Sequence, residues 1–364
     1  MSSPVITLPE SLSVPQELKH KSYMPHPIHI GTHTSDYIRQ SHNGFYQYFY
    51  DEIFPQIVPP PYGSIEIEQL SMRKRVYCIK EQTQNLEVVV KTYKQGINSF
   101  KDAWRCAERE YFNLQLLRNK LGMDRGDCRV VQPLGKNKHP LSVLVTEKVN
   151  GELFDSHIAR AVHEQQHQQL FQSLSLLAHF FSELHHNGMS NKPVSSNLSQ
   201  QYLAGICNSL NDCLMDAHNR YTIERLAGRW LNKDGVFSGD TDVVVHGDAT
   251  PTNFFIDEKG VIAIDLERMK LADRCWDIGF IAAELKHHFM WRAGDRWAAE
   301  PYIGHFLWNY AVNCKDSQFF HYLTNKLPLY MALGLLRIAR NNWLDVWYRK
   351  ELIAEATRCL KYGL

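Results

Sequence analysis

The sequence predicts an α+β fold of two lobes, in which a small antiparallel β-sheet with one long helix precedes a mostly α-helical lobe. Three observations predict it. Residues 65–91 contain alternating and β-branched apolar runs, which are typical of strands. Beyond residue 152 the apolar residues recur at helical spacing. A polar cluster at residues 246–265 lies between short apolar runs inside the helical part.

The composition is that of a globular protein, with 44% hydrophobic and 22% charged residues over 364 positions, which is enough for two lobes. Forty basic and thirty-nine acidic residues give a charge of +1, so bulk charge does not favour nucleic acid as a partner. No uncharged stretch predicts a membrane span, and early Pro and Glu residues interrupt any signal-peptide core. The eight scattered cysteines form no C-x-x-C pair, which favours a cytoplasmic setting.

Residues 1–62 are predicted to form an N-terminal arm that contains one amphipathic helix. The segment is rich in Pro, His and Ser, and its aromatic residues cluster between Tyr37 and Phe54. We expect these aromatic side chains to pack on the body of the protein, because exposing so many of them would promote association.

Residues 63–147 are predicted to form the small lobe. Its expected elements are strands at 65–68, 75–79 and 86–91, a helix at 99–121, and strands at 128–134 and 141–147.

Residues 148–364 are predicted to form the helical lobe. Its expected helices lie at 169–185, near 199, near 221, and at 278–289, 303–312 and 329–347.

The polar cluster carries side chains suited to phosphoryl transfer. Such a reaction needs a carboxylate that accepts the hydrogen bond of the attacking hydroxyl, and metal that neutralises the phosphate oxygens. Asp248 fits the role of catalytic base. Asn253 and Asp265 fit as Mg²⁺ ligands, because this ion takes oxygen ligands and keeps several waters.

The order of base, Asn and second Asp is also that of protein kinases, with Gly247 in the place of their Arg. The H-G-D-x-x-x-x-N run at 246–253, the I-D pair at 264–265 and the D-R-x-x-D run at 273–277 resemble the aminoglycoside phosphotransferase and choline kinase superfamily. The resemblance covers about residues 65–310 and implies a protein-kinase-like fold with ATP and Mg²⁺ as cofactors.

The resemblance also implies roles for residues outside the cluster. His246 and Asp277 would be structural supports, the latter tying a helix to the catalytic loop. A strand lysine and a helix glutamate should pair, and Lys91 and Glu110 are the candidates, with Glu108 as a competitor for Glu110.

The segment at 145–151 resembles the interlobe hinge of the family, where backbone groups bind adenine. By position, Glu147 and Val149 are its binding residues. A simple linker is the alternative interpretation.

The resemblance implies a small-molecule hydroxyl acceptor, such as an aminoglycoside, an amino-alcohol or a sugar-like compound. We expect the acceptor site in the helical lobe beyond Asp277, a region that contains Arg337 and several tryptophans. No tryptophan is assigned to substrate, because large aromatic residues at helical spacing usually face inward. The chain is expected to be a monomer or a homodimer.

Two alternative functions remain at this point. The loop at 71–75 has no glycine where protein kinases have a Gly-rich phosphate loop, which leaves a nucleotide-binding pseudokinase or regulatory binding protein possible. The H-E-x-x-H run from His163 to His167 would make a zinc hydrolase if it lay on one helix. The pairs at 185–186 and 287–288 are expected to be surface or capping histidines.

Overall fold

A computed structural model gives the fold. It describes residues 42–71, 75–93, 100–139, 142–210, 213–233, 235–237, 239–314 and 319–362. Most of the predicted arm, and residues 72–74 of the Gly-poor loop, lie outside the described residues.

The predicted fold class is confirmed: the described chain has mixed α and β elements and is mostly helical. The α-helices are α1 His42–Tyr48, α2 Phe100–Lys120, α3 Phe154–His163, α4 His167–Asn187, α5 Asn197–Ser209, α6 Ala217–Leu231, α7 Cys275–Ala293, α8 Glu300–Asn313, α9 Phe319–Ala339 and α10 Val346–Lys361.

The strands are short. They are β1 Ile65–Ser71, β2 Val76–Glu81, β3 Leu86–Thr92, β4 Cys128–Val130, β5 Pro133–Asn137, β6 Val143–Glu147, β7 Glu152–Leu153, β8 Met189–Pro193, β9 Thr241–Val245, β10 Phe254–Asp257, β11 Gly260–Ala263 and β12 Lys270–Ala272.

The first sheet is antiparallel, in the order β1-β2-β3-β6-β5. Its β-branched strand β3 buries Val88 and Val90 on one face, and Lys91 follows them near the end of the strand. Helix α2 packs against this sheet through Leu114 and Leu117, which are fully buried. The long helix therefore brings its own polar residues to the strand that carries Lys91.

Two smaller sheets, in the orders β4-β11-β10-β7 and β12-β9-β8, combine β4 with strands that follow residue 151. The residues of the polar cluster connect them, because β9, β10, β11 and β12 are the strands on either side of its turns. Helix α7 is buried along most of its length and is packed against α9. The core of this lobe thus fixes the strands that carry the cluster.

Two of the predicted elements are wrong. The sequence predicts one strand at 128–134, but the structure has β4 and β5 there, and they belong to different sheets. The sequence also predicts one helix at 329–347, whereas α9 ends at Ala339 and α10 begins at Val346. Polar residues do occur at each break, namely Gln132 before Pro133 in the first run and Arg340, Asn341, Asn342 and Asp345 in the second. Hydrophobic periodicity alone does not show that the chain turns there.

The aromatic residues before the first strand pack inward as expected, within the described residues. Phe45, Phe49 and Phe54 are buried, and the helix α1 continues into a π-helical turn at Phe49–Ile53. Gln56 Nε2 donates to Leu134 O at 2.9 Å, which ties this segment to the first sheet. In the part of the chain that the structure describes, no helix is both long and apolar enough to cross a membrane.

Candidate active site

The turn after β9 begins with a glycine that the backbone requires. Gly247 has a φ of 81°, and a Cβ at this position would overlap the carbonyl oxygen of Arg268. Glycine meets both conditions without strain, whereas any larger residue would push the two segments apart. The backbone of the turn at 246–250 therefore lies directly against the segment that follows Asp265.

His246 and Asp277 hold this turn. His246 Nε2 donates to Ile264 O at 2.9 Å, and its Nδ1 accepts the Asp248 N–H at 3.3 Å. The Asp277 carboxylate accepts the backbone N–H of His246 at 2.7 Å and that of Gly247 at 3.0 Å. Both side chains are fully buried. They join the turn to the end of β11 and to the first turn of α7, which is the geometry expected of structural supports.

His185 belongs to the same buried network, so its predicted role as a surface or capping residue is wrong. Its Nδ1 lies 2.7 Å from the Tyr310 hydroxyl, and its Nε2 lies 3.3 Å from Asp277 Oδ2. Burial lowers the pKa of His185, although Asp277 opposes that effect. His186, next in the chain, is exposed as predicted.

The second histidine pair is also wrongly predicted to consist of surface or capping residues, since both lie inside α7. His287 is buried with its Nδ1 2.8 Å from the Tyr348 hydroxyl, and His288 Nε2 lies 3.3 Å from Asp155 Oδ1. Burial lowers the pKa of both imidazoles, that of His288 to about 3.

Asp248 is bound by an arginine to which the sequence analysis gave no role. Arg337 Nη2 donates to Asp248 Oδ1 at 2.6 Å, and Arg337 Nη1 donates to Glu284 Oε1 at 3.1 Å. Arg268 Nε lies 3.8 Å from Asp248 Oδ2. Burial raises the pKa of Glu284 to about 7. One signal for Arg337 was present in the sequence, namely a charged residue inside the apolar run of α9.

Asn253 and Asp265 offer oxygen atoms that fit Mg²⁺. Asn253 is fully buried; its Nδ2 donates to Asp248 O at 2.9 Å, but its Oδ1 has no hydrogen-bond partner among the described residues. Ile264 N–H donates to Asn253 O at 2.9 Å, so the two candidate ligands come from adjacent backbone segments. Asp265 has a φ of 63°, a conformation uncommon for residues other than glycine and frequent at functional sites.

Lys91 lies at the centre of three carboxylates. Its Nζ is 2.7 Å from Glu110 Oε2, 2.7 Å from Asp265 Oδ1 and 3.1 Å from Glu267 Oε2. Burial lowers the pKa of Lys91, but the carboxylates outweigh burial and raise it above the usual value. Burial likewise raises the pKa of Glu110, and Lys91 opposes this. Glu267 is a contact that the sequence analysis missed.

The competing residue Glu108 does not reach this cluster. Its Oε1 lies 3.0 Å from Lys136 Nζ instead. Tyr93 donates its hydroxyl to Glu110, which gives the Glu110 carboxylate a second partner beside Lys91.

The predicted hinge follows β6. The Glu147 carboxylate accepts the Gln132 N–H at 2.8 Å, and the Glu147 N–H donates to Gln132 O at 3.0 Å. Val149 is partly buried against the core. The side chain and the backbone N–H of Glu147 thus already form hydrogen bonds within the protein. Adenine would have to bind to other backbone groups of this segment.

The H-E-x-x-H run does not form a zinc site. Helix α3 ends at His163 and α4 begins at His167, so the two imidazoles do not share one helix face. His167 Nδ1 lies 2.6 Å from the Tyr302 hydroxyl. Among the described residues, the groups of side chains close enough to hold a metal are Glu110 with Asp265 and Glu267, and Asp127 with Cys128 and His179.

The sequence matches the model of the phosphotransferase enzyme family, APH, over residues 73–311. No curated protein sequence matches the chain. Among solved structures, the ethanolamine kinase of Plasmodium vivax is 14% identical, with 82% of this chain and 81% of that chain covered and a TM-score of 0.52. The choline kinase of Cryptosporidium parvum Iowa II is 11% identical, with 90% and 92% covered and a TM-score of 0.53.

The streptomycin–ATP–APH(2")-IIa ternary complex is similar as well, with 12% identity, 87% of this chain and 98% of that chain covered, and a TM-score of 0.53. Likeness at such low identity shows a shared kinase-like fold. The family match covers more than half of the chain and includes Lys91, Asp248, Asn253 and Asp265. This chain therefore belongs to the phosphotransferase enzyme family and is a small-molecule phosphotransferase with a kinase-like fold.

Proposed function

We propose that the enzyme transfers the γ-phosphoryl group of ATP to a hydroxyl group of a small molecule, with Asp248 as the catalytic base. The observation that carries the proposal is the arrangement around Asp248. Its backbone carbonyl accepts from Asn253, whose buried Oδ1 has no partner among the described residues, and the Lys91 cluster includes Asp265. Phosphoryl transfer from a nucleotide requires a carboxylate for the acceptor hydroxyl, oxygen ligands for the metal and a cation for the phosphates. Asp248, the pair Asn253 and Asp265, and Lys91 would supply these groups.

The proposed step begins with the acceptor hydroxyl donating its hydrogen bond to Asp248. The hydroxyl oxygen forms a bond to the γ-phosphorus, and the bond from that phosphorus to the β,γ-bridging oxygen breaks, which leaves ADP. The hydroxyl proton passes to the Asp248 carboxylate. Arg337 holds this carboxylate at 2.6 Å and so limits its rotation.

Asn253 and Asp265 would hold Mg²⁺, which when bound would neutralise charge on the phosphate oxygens. Lys91 would bind phosphate oxygens while Glu110 keeps the ammonium in position. Backbone groups between Glu147 and Val149 would bind adenine. His246 and Asp277 would maintain the turn that carries Asp248.

The solved relatives indicate which acceptors to test first. Their names include ethanolamine kinase, choline kinase and a complex with streptomycin and ATP. We propose a small-molecule acceptor for this chain also. The scattered cysteines favour a reducing, cytoplasmic setting, which we propose as its location. We further propose that the enzyme is a monomer or a homodimer.

ADP release from Mg-ATP should be measured over a panel of aminoglycosides, amino-alcohols, neutral sugars and hydroxy acids. We expect acceptor-dependent ADP release by the wild-type enzyme, and a loss of about a hundredfold or more in Lys91→Met, because phosphate positioning is lost. Lys80→Met is the matched control, since Lys80 lies on the neighbouring strand β2 and pairs with Glu68. Nucleotide binding without turnover on any acceptor would favour the pseudokinase instead.

A further inference from the structure

The surface beside Asp248, called the wall below, carries more positive than negative charge. Its charged side chains come from several helices and from the segment 268–270, and they are Asp155, Arg268, Lys270, Glu284, Arg292, Arg337 and Arg340. Tyr202 of α5 belongs to this surface, because the charges of three guanidinium groups and of the Asp248 carboxylate all influence the pKa of its hydroxyl. The Tyr202 ring centroid is also 5.7 Å from Lys270 Nζ. The cations close enough to interact with the Tyr202 side chain are Arg268, Lys270, Arg337 and Arg340.

The acidic side chains of this wall are already paired. Glu284 Oε1 accepts from Arg337 at 3.1 Å, and both oxygens of Asp155 lie within about 3 Å of Arg292 Nη2. Arg337 also donates to Asp248, so the carboxylates of Asp248, Glu284 and Asp155 all have an arginine partner. None of the three is left unpaired for a cationic acceptor.

Two of the cations lack such a partner. Arg268 and Arg337 pair with Asp248, whereas neither Lys270 nor Arg340 forms an ion pair with a carboxylate in the described part of the chain. Lys270 Nζ instead lies 3.2 Å from the centroid of the Trp276 ring. The indole N–H of Trp276 is buried and has no acceptor among the described residues. The wall therefore combines two cations and one N–H donor that lack an anion.

The environment of Lys270 makes this arrangement unfavourable without a ligand. The pKa of Lys270 is lowered to about 8, mainly by burial and also by Arg268, while Asp277 opposes the shift. The remaining neighbours, Tyr202 and Trp276, are aromatic rings that only partly replace water around an ammonium. An anion bound beside Lys270 would stabilise its charged ammonium form and raise its pKa again.

We propose that the acceptor is itself anionic, a hydroxyl compound whose carboxylate or phosphate group binds between Lys270 and Arg340. This inference rests on the proposed function, because it names the acceptor class of the same site. Choline and ethanolamine carry a positive charge at neutral pH, and such a group would meet unpaired cations here. Two ion pairs in a partly buried site should favour the anionic acceptor by about tenfold or more.

The acetylation rate of Lys270 by acetic anhydride, followed at pH 8 by peptide mass spectrometry, tests the proposal without requiring turnover. The probes are glucose 6-phosphate and gluconate, compared with glucose, ethanolamine and ATP at matched ionic strength. Both anionic probes should slow acetylation of Lys270 about tenfold, while exposed Lys259 reacts as before. Protection should be lost in Arg340→Gln and kept in Arg225→Gln, an exposed arginine of α6.

Unchanged acetylation with both anions, equal protection by ethanolamine, or persistence of protection in Arg340→Gln would overturn the proposal. Protection by ATP alone would assign the cations to the nucleotide and overturn it as well. Failure of the proposed function gives a different result, namely no nucleotide-dependent turnover on any acceptor. Circular dichroism of Arg340→Gln separates loss of the anion from loss of folding.

Discussion

At the scale of single residues, Asn253 links the candidate metal site to the base. Its amide nitrogen donates to Asp248 O, while its amide oxygen has no partner in the described part of the chain. Leaving a buried carbonyl oxygen without a partner costs about 1–3 kcal/mol, so the folded protein holds this oxygen ready for a ligand.

Asn253→Ala should raise the Mg²⁺ concentration for half-maximal ADP release by about tenfold or more, because one protein ligand is lost. Asn253→Asp is the matched control, since it keeps an oxygen at the same position and should need less Mg²⁺ than the alanine variant. Titration of initial rates with Mg²⁺ at saturating ATP measures the difference. Equal Mg²⁺ requirements in all three proteins would remove Asn253 from the metal site.

The candidate site residues that occur in a fixed order along the chain could be predicted from the sequence. Asp248, Asn253 and Asp265 lie within one short stretch, and their chemistry is readable from spacing alone. Arg337 is 89 residues from Asp248 and meets it only through the packing of α9. No spacing pattern predicts such a contact, so the partner of the proposed base is evident only from the structure.

At the scale of elements, the pair α7 and α9 positions Glu284 against Arg337. The two helices approach closely at glycines: a Cβ on Gly279 would overlap the Cβ of Tyr330, and one on Gly334 would overlap the Cβ of Ala283. The close approach is therefore built into both helices.

Gly279→Ala should destabilise the protein by about 1–3 kcal/mol, because the added methyl group forces the two helices apart. Gly304→Ala is the matched control in α8, where a Cβ would meet open space; it should be neutral or stabilise by up to about 1 kcal/mol. Urea unfolding followed by circular dichroism measures both. Equal free energies of unfolding for the two variants would show that α7 and α9 are not in tight contact.

The elements that the sequence analysis misplaced share one cause. β4 and β5 were predicted as one strand, and the C-terminal part of α9 and the beginning of α10 as one helix. The buried histidines His185 and His287 were placed at the surface because their partners, Tyr310 and Tyr348, come from distant helices. Hydrophobic periodicity and composition predict which residues face the core. They do not predict which residue a buried polar side chain will hydrogen-bond.

At the scale of the whole molecule, the buried carboxyl of Glu284 should make stability depend on pH. Burial raises its pKa to about 7, and the groups that face it are Arg337, Asp248, Asp155 and His288. Below the ordinary value of 4.5 both folded and unfolded forms hold the proton. As pH rises from 4.5 to 7 the unfolded chain releases its proton first, so the contribution of Glu284 to stability falls.

The wild-type free energy of unfolding should therefore decrease between pH 5 and pH 7 relative to Glu284→Gln, by about 1.4 kcal/mol for each pH unit at most. Urea denaturation at the two pH values measures the difference. Glu258→Gln, an exposed carboxyl in the turn between β10 and β11, is the control and should follow the wild type. Parallel pH profiles for wild type and Glu284→Gln would contradict the assignment.

The fold of the whole molecule was predictable because its signals are local and repeated. Alternation in β1 and β-branched residues in β3 indicated the small sheet, and helical spacing indicated the second lobe. The charge of the wall beside Asp248 was not predictable, since Lys270 belongs to β12 whereas Arg337 and Arg340 lie at the end of α9, much later in a chain with almost no net charge. The fold class can therefore be predicted from the hydrophobic pattern, whereas the local charge depends on which elements pack together.

The most direct test of the account is the turnover of Asp248→Asn, measured as ADP release with the best acceptor of the panel. We predict that kcat falls by about 10²–10⁴-fold while the affinity for Mg-ATP stays close to that of the wild type, because only the carboxylate that receives the proton is lost. Turnover at the wild-type rate would contradict the assignment of Asp248 as the catalytic base.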